Sequence, residues 1–293
     1  LRLRATRSRD IRAGNIAELF SPPFISRPSL VTSSGSVAVN QVRSGDPNLR
    51  PEIADTFTAG VVYRPAWLPG LNLSVDYFSI KINDSVQQLT VQQTFDQCNA
   101  GSTIACSQIS LVNGFYTIST PFLNLAELRT RGVDADLSYR TSLGRGQLQI
   151  RGVFSYLDTL STKLPGVPLV ERAGDIGVSG TPRFAGNLSV SYDISSLNVM
   201  VQERYIGSGN IDNTFAPGSI ASNHVPAVFY TDVTVRVGIG REKRMEMFFT
   251  VNNLFNKNPP IAPNLPAGLW RATNFSLYDV AGRYMTMGAK VKF

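Results

Sequence analysis

Apolar and polar residues alternate with a period of two along at least ten segments of the chain, and helical periodicity is nearly absent. The final segment is the clearest. Met285, Met287, Ala289, Val291 and Phe293 fall on one face, while Tyr284, Thr286, Gly288, Lys290 and Lys292 fall on the other. A strand points successive side chains to opposite sides, so one side meets an apolar medium and the other a polar one. The same split sets Phe229, Val233, Val235 and Val237 against Tyr230, Asp232, Thr234 and Arg236. It recurs in Leu148, Ile150, Phe154 and Tyr156 against Gln147, Gln149, Arg151 and Ser155.

This pattern predicts ten strands, at 1–9, 52–64, 71–84, 126–141, 147–160, 182–193, 197–208, 227–238, 243–256 and 281–293. Most are longer than the five or six residues, roughly, of a soluble strand, and suit the roughly 9–11 tilted residues that cross a bilayer. The connections alternate too. Those near 10–51, 85–125, 161–181, 209–226 and 257–280 are long; those near 65–70, 142–146, 194–196 and 239–242 are short and rich in turn residues. Antiparallel neighbours with long loops at one end and tight turns at the other match an all-β, antiparallel transmembrane barrel, with loops outside the cell and turns in the periplasm.

A β-sandwich also alternates, because one face of each sheet packs on the other. Two features weigh against it. The apolar face carries almost no charge, with Glu203 as the one clear exception, for which a bulge or a strand-end position would account. Aromatics also cluster by level: Tyr63, Trp67, Tyr139, Tyr192 and Phe293 near the turn ends, and Tyr156, Tyr205, Phe229 and Phe255 near the loop ends. Two such belts suit two membrane–water interfaces.

Composition excludes other classes. No run approaches the roughly 18 apolar residues of a membrane-spanning helix. Two Cys and one His rule out a zinc module of Cys and His ligands and argue against a His-based triad. The net charge of +7 is spread along the chain rather than gathered in a basic arm, so nucleic acid is not implied as a partner. The opening Leu1-Arg2-Leu3-Arg4 alternates from its first residue, with no Met and no signal-peptide pattern. The chain is therefore read as a C-terminal piece of a longer protein, the alternative being a mature domain after cleavage.

Several segments resemble, in order and spacing, the C-terminal part of the barrel of TonB-dependent outer-membrane receptors. They are Ser8 to Phe20, Gly45-Asp46-Pro47-Asn48-Leu49-Arg50-Pro51-Glu52, Thr130-Arg131-Gly132-Val133-Asp134, and Val251-Asn252-Asn253-Leu254-Phe255-Asn256-Lys257, where the family more usually has Asp at the place of Asn256. Gly282-Arg283-Tyr284 through Phe293 resembles the last strand. The resemblance covers essentially the whole chain, 1–293. It implies a barrel of about 22 strands around a plug, of which these would be the last ten. The plug, the TonB-contacting segment and the earlier strands lie outside this sequence, so the piece is not expected to transport alone. It further implies residence in the bacterial outer membrane, with outer-membrane lipid, the protein's own plug, TonB and the barrel-assembly machinery as partners, and energy-coupled uptake of a scarce solute such as a ferric siderophore. No enzymatic activity, cofactor or metal site is implied. The alternatives are a passive porin and a ten-stranded outer-membrane hydrolase; the latter lacks a Gly-x-Ser-x-Gly elbow and has a single His.

Within that frame individual residues take candidate roles. Cys98 and Cys106 fall in an extracellular loop and read as a disulfide, or as two free thiols. Ser85 to Phe95 reads as a short loop helix, packed or partner-binding. Arg151, Arg183, Arg204, Asp232 and Arg236, with Lys290 and Lys292, face the lumen, where they contact plug or solute or form a solvated wall. Gly288, Val291 and Phe293 resemble a terminal assembly signal. His224 lies in a long loop, at a ligand mouth or on the plain surface.

Overall fold

A computed structural model of the chain describes residues 1–112, 114–165, 168–177, 180–240, 244–263 and 272–291. Ten long strands follow one another as hydrogen-bonded neighbours in a single antiparallel wall. They are β1 (Arg2–Arg12), β2 (Glu52–Tyr63), β3 (Leu71–Gln88), β4 (Phe115–Leu143), β5 (Gly146–Lys163), β6 (Phe184–Ile194), β7 (Leu197–Ile206), β8 (Val228–Ile239), β9 (Met245–Asn252) and β10 (Tyr284–Val291). Strand order is sequence order, as an up-and-down barrel requires. β1 and β10 are the two ends of the hydrogen-bonded path, so the wall is an open partial barrel. The ten predicted strands all fall on these elements.

Two-residue turns join β4–β5 and β6–β7 at one end, where residues 64–70 also join β2 to β3 and β8 pairs with β9 from Ile239↔Met245. The two-residue turns use left-handed backbone, with φ +60° at Gly144 and +53° at Ser195, which matches the twist of paired strands. Long connections gather at the other end.

The register separates the faces cleanly. One row runs Leu73, Leu137, Gly152 and Leu188; another runs Val201, Val233 and Val251. Met287 on this face is 83% exposed, so no second sheet packs there. The described apolar clusters all lie at the loop end instead. A sandwich, which needs a dry layer between sheets, is therefore excluded.

Aromatic rings mark both edges of the apolar band. Near the loop end, Phe154 stacks at 6.4 Å from Phe184, which lies 5.5 Å from Tyr205, itself 4.5 Å from Phe229. Phe154 lies over Gly186, where a Cβ would come within 2.5 Å of the ring; the glycine leaves the space that the ring fills. At the turn end, Trp67 Nε1 donates to Tyr63 Oη (3.2 Å) and Tyr192 Oη to the Leu143 carbonyl (2.8 Å). Phe255 sits beyond its strand, and Phe293 lies outside the described residues.

Two expectations are corrected and a third, for Glu203, is narrowed to its strand-end alternative. β3, β4 and β5 overshoot the band, β4 reaching 29 residues, because loop strands at Asn40–Ser44 and Ile109–Val112 pair with the start of β4. Ser85–Gln88 continue β3 instead of forming a helix, since they pair with β4 past two register shifts. The helix there is α2 (Val91–Asn99), started by a Thr90–Gln93 capping box; the shorter α1 (Ile16–Phe20) and α3 (Thr103–Ser107) flank it in the chain. Glu203 sits in an unbroken ladder from Ala185↔Ile206 to Ile194↔Leu197, so no bulge accounts for it. It lies one row below Tyr205, near the strand end, and accepts from Thr231 Oγ1 at 2.6 Å.

An arginine at Val235 or Leu188 should destabilise the barrel by about 2–4 kcal/mol in lipid, whereas arginine at Ser189, on the opposite face, should cost little. Reversible folding of the full-length protein into vesicles, followed by urea titration, measures the difference.

Candidate functional site

The polar face of the wall carries charge at every level. Arg4 Nε donates to Asp76 Oδ1 at 2.7 Å across β1, β2 and β3. Arg151 is exposed between Ser138 and Ser189. Arg204 lies 4.8 Å over the Tyr230 ring, and its Nη1 donates to the Leu277 carbonyl (3.4 Å). Asp232 Oδ1 accepts from the Asn253 N–H at 2.8 Å. Arg236 is at the turn end, lining a 320 Å³ depression with Asp193, Arg244, Glu246 and Lys290.

These candidates therefore do not converge on one point. Arg204 and Asp232 hold Leu277 and Asn253, in the connection after β9, against the wall; Arg151 is free-standing, and Arg236 belongs to the opposite end. Arg183 sits at the loop-end edge of the wall, where its carbonyl accepts the Leu157 N–H of β5 (2.7 Å). It precedes β6, donates from Nη1 to the Asp158 carbonyl (2.6 Å), and lies against Gly174.

The loops build the other candidate surface. Ile176, Ile211, Val225, Ala262 and Tyr278 come from three loops and pack on Ile206, Val228 and Tyr230 at the strand ends. Leu30, Val39 and Val91 pack with Ile118 from two more loops. Each cluster is assembled from different loops, so burial ties the loops into a cap. A polar knot reinforces it. Arg172 Nη1 reaches Asp175 (2.5 Å) and Asp212 (3.0 Å). Burial works to raise the Asp212 carboxyl, but the Thr214 hydroxyl, the Thr214 N–H and Arg172 outweigh it and hold it below the usual carboxylate range. Between these loops lies a 660 Å³ cavity lined by Glu171, Gly174, Arg183, Asn210, Asn213 and Thr214. Guanidinium, amide and hydroxyl groups there suit a polar ligand. Among the described residues there is no cluster of three metal-ligating side chains.

Cys98 and Cys106 are disulfide-bonded, Cα atoms 4.6 Å apart, and join α2 to α3. His224 is exposed, in a short ladder opposite Asn210. Gly288 lies under the Phe248 ring, and Val291 ends β10 half exposed at 51%; Phe293 and Lys292 lie outside the described residues.

The sequence motifs acquire physical roles. Glu52 receives Arg12 Nε and Nη2 (2.7 Å each), the Val86 N–H (2.6 Å) and Ser85 Oγ (3.2 Å), pinning the tops of β1, β2 and β3. Asn15 and Glu18 cap α1, and Glu18 also takes Arg12, which lowers its pKa. Gly45 passes so close that a Cβ would lie 2.7 Å from the Leu19 backbone. Asn253 adopts φ +51° and closes a turn with Lys257, accepting its N–H (2.7 Å) and donating to its carbonyl (3.0 Å). Asn256 Oδ1 accepts from the Arg283 N–H (3.0 Å), a bond an aspartate would also make. Sequence reasoning missed the Arg172–Asp175–Asp212 knot; its one local trace is Asp212-Asn213-Thr214, whose Asp side chain caps the Thr214 N–H.

Residues 1–254 match the family model described as TonB dependent receptor-like, beta-barrel. A mutant of the ferric enterobactin receptor PfeA from Pseudomonas aeruginosa superposes with a TM-score of 0.65 at 14% identity, over 98% of this chain and 37% of that one. The siderophore receptor PirA from Acinetobacter baumannii gives 0.62 at 14% identity, over 99% and 39%. The copper transporter OprC gives 0.55 at 14% identity, over 99% and 38%. This chain thus spans well under half the length of these structures, and at such identities the likeness is one of fold. No curated protein sequence matches the chain.

Two outcomes test the cap. Burial pushes the Tyr278 hydroxyl up to about 12, above the ordinary value near 10. The stability it carries is full below about pH 10 and is lost as pH rises towards about 12. Burial raises the neighbouring Tyr230 as well, so more than one tyrosine should ionise late in an absorbance titration, and Tyr278→Phe should remove the latest step. Replacing Cys98 and Cys106 together by serine should weaken the loop 89–114 by about 2–3 kcal/mol, read as faster hydrogen exchange there with the wall strands unchanged.

Proposed function

The chain belongs to the TonB dependent receptor-like β-barrel family, and from that premise we propose that it forms the C-terminal wall and extracellular cap of a bacterial outer-membrane receptor for energy-coupled uptake of a scarce solute, a ferric siderophore being the leading class. The observation that carries this reading is the two-faced wall: an apolar band ringed by aromatics on one side, a charged face on the other, and a loop cap over one end. Such a wall needs lipid outside and a polar filling inside. The siderophore class is favoured because ferric enterobactin and siderophore receptors are among the structures the chain resembles.

In this reading the turn end faces the periplasm and the loop end faces the medium. The solute is held first by the loops, at the cavity of Arg183, Asn210 and Asn213. The plug fills the barrel against the charged face, meeting Arg151, Arg204, Asp232 and Arg236, and TonB acts on it from the periplasm. Gly288, Val291 and Phe293 serve as the signal taken by the barrel-assembly machinery. The chain's role is to bind, enclose and guide, with no bond made or broken.

Uptake of ⁵⁵Fe-labelled siderophores into cells producing the full-length protein tests this. Accumulation that stops when TonB is deleted is the expected result. Uptake unchanged without TonB, or open-channel conductance of the purified full-length protein in planar bilayers, would contradict it and favour a passive pore.

A further inference from the structure

Above the aromatic row, the outer face of β3, β4 and β5 changes character. Tyr77, Val133 and Tyr156 stand side by side in register as the last apolar row. The next row on the same face is Ser79, Arg131 and Thr159, and the one beyond it is Lys81, Arg129 and Ser161. Six adjacent outward positions thus hold three cations and three hydroxyls, and no apolar residue. With strands about 4.8 Å apart and rows about 6.6 Å apart, they cover a patch of roughly 10 by 7 Å.

These six side chains line one 320 Å³ depression, with Leu169 and Glu171 of the loop at its edge. The Glu171 carboxylate is engaged there by the Leu160 and Ala173 N–H groups (2.8 Å each). Neighbouring carboxylates are shared: Lys81 (2.9 Å) and Arg129 (2.6 Å) both reach Glu127, and Arg131 reaches Asp158 at 2.5 Å. Arg129 and Arg131 remain more than half exposed, at 54% and 56%. Across β2, where Phe57 and Asp55 stand in these two rows, Arg7 and Arg9 continue the same face on β1, with Asp55 opposite Arg9, and Lys163 continues it on β5 opposite Glu127. The patch is one-sided. On β7 and β8 the outer face ends at Tyr205 and Phe229 with no charged residue beyond them before Gly207 and Ala227.

We propose that this depression is a binding site for the phosphate of an outer-leaflet lipid headgroup. The proposal rests on the outer-membrane reading above. Height selects the occupant. Aromatic rings mark the membrane–water interface, and the cationic rows begin two residues beyond them, about 7 Å along the strand, at headgroup level. A soluble protein partner would have to displace lipid to reach that level, whereas a lipid already resident presents its phosphate there. Guanidinium forks and hydroxyls are the donors that phosphate takes up. The ion pairs to Glu127 and Asp158 keep the cations extended over the depression, and at this exposure such pairs exchange readily for a second anion.

The test uses the full-length protein in dodecyl maltoside, with bound lipid counted by native mass spectrometry. Bisphosphorylated lipid A, its dephosphorylated form and inorganic phosphate are the three probes. The wild type should retain bisphosphorylated lipid A and not the dephosphorylated form, and inorganic phosphate alone should not bind. The variant carrying Lys81→Ala, Arg129→Ala and Arg131→Ala should bind it roughly a hundredfold more weakly, about fivefold for each cation removed. Its folding is checked by the mobility of the unheated barrel in gels. If it fails to fold, the single variants Arg131→Gln and Arg131→Lys replace it, with loss expected in the first and partial retention in the second. Equal retention by wild type and variants, equal retention of the dephosphorylated lipid, or binding of inorganic phosphate alone at the same site would each overturn the proposal. Siderophore uptake is scored in the same cells: loss of uptake with lipid binding intact contradicts the transport reading and leaves this one standing.

Discussion

Every peptide group in a membrane-crossing wall must find its hydrogen-bond partner within protein, because hydrocarbon offers none. The architecture follows from that condition. Adjacent strands pair along their length in sequence order, so each ladder is completed by the next segment of chain. The two strands at the ends of this path, β1 and β10, have one side each still to satisfy. In a complete barrel those sides belong to further strands, and the family's larger barrel supplies the number needed. The same condition dictates where irregular backbone is found: the described parts of the long connections lie beyond the aromatic rows, where water or the cap's own side chains satisfy them.

The described residues share no single interior. The wall has no buried apolar layer of its own; its apolar face is finished by its surroundings. Among the described residues, burial of large apolar side chains is confined to the loop end, where Ile176, Val225 and Leu30 are 0–1% exposed. Loops that would otherwise be mobile thereby become a fixed surface, and Arg204, Asp232 and Glu52 fasten that surface to the strands. Under the proposed function, selectivity for a solute falls to a part of the molecule whose rigidity comes from packing between loops, independent of the membrane.

The strands were readable because a period of two is a direct record of a two-sided environment, as Val233, Val235 and Val237 show. Their upper ends were not. Once a strand rises past the apolar band its two faces no longer meet lipid and water: in Phe115–Ala126, Ile118 packs into the cap, and Phe122, Leu123 and Leu125 break the alternation. The early end of β4 and the tail of β3 were missed for that reason. Pairing between loops was equally hidden: Asn40–Ser44 joins β4 in parallel from far along the chain, which no local pattern encodes. The family-like motifs marked the right places, and the structure gives their causes, namely the buried Glu52 carboxylate, the close pass at Gly45 and the left-handed turn at Asn253. The Arg172 knot and the phosphate-binding depression depend on contacts between distant segments and were legible only in three dimensions.

The central claim is that lipid wets one face of this wall and not the other. Spin labels placed singly from Val233 to Val237 in the full-length protein, reconstituted in vesicles, test it most directly. Collision with oxygen, which concentrates in lipid, should be high at 233, 235 and 237 and low at 234 and 236, with the reverse for a water-soluble nickel reagent. Uniform accessibility at all five positions, or protection of 233, 235 and 237 from both reagents, would contradict the account.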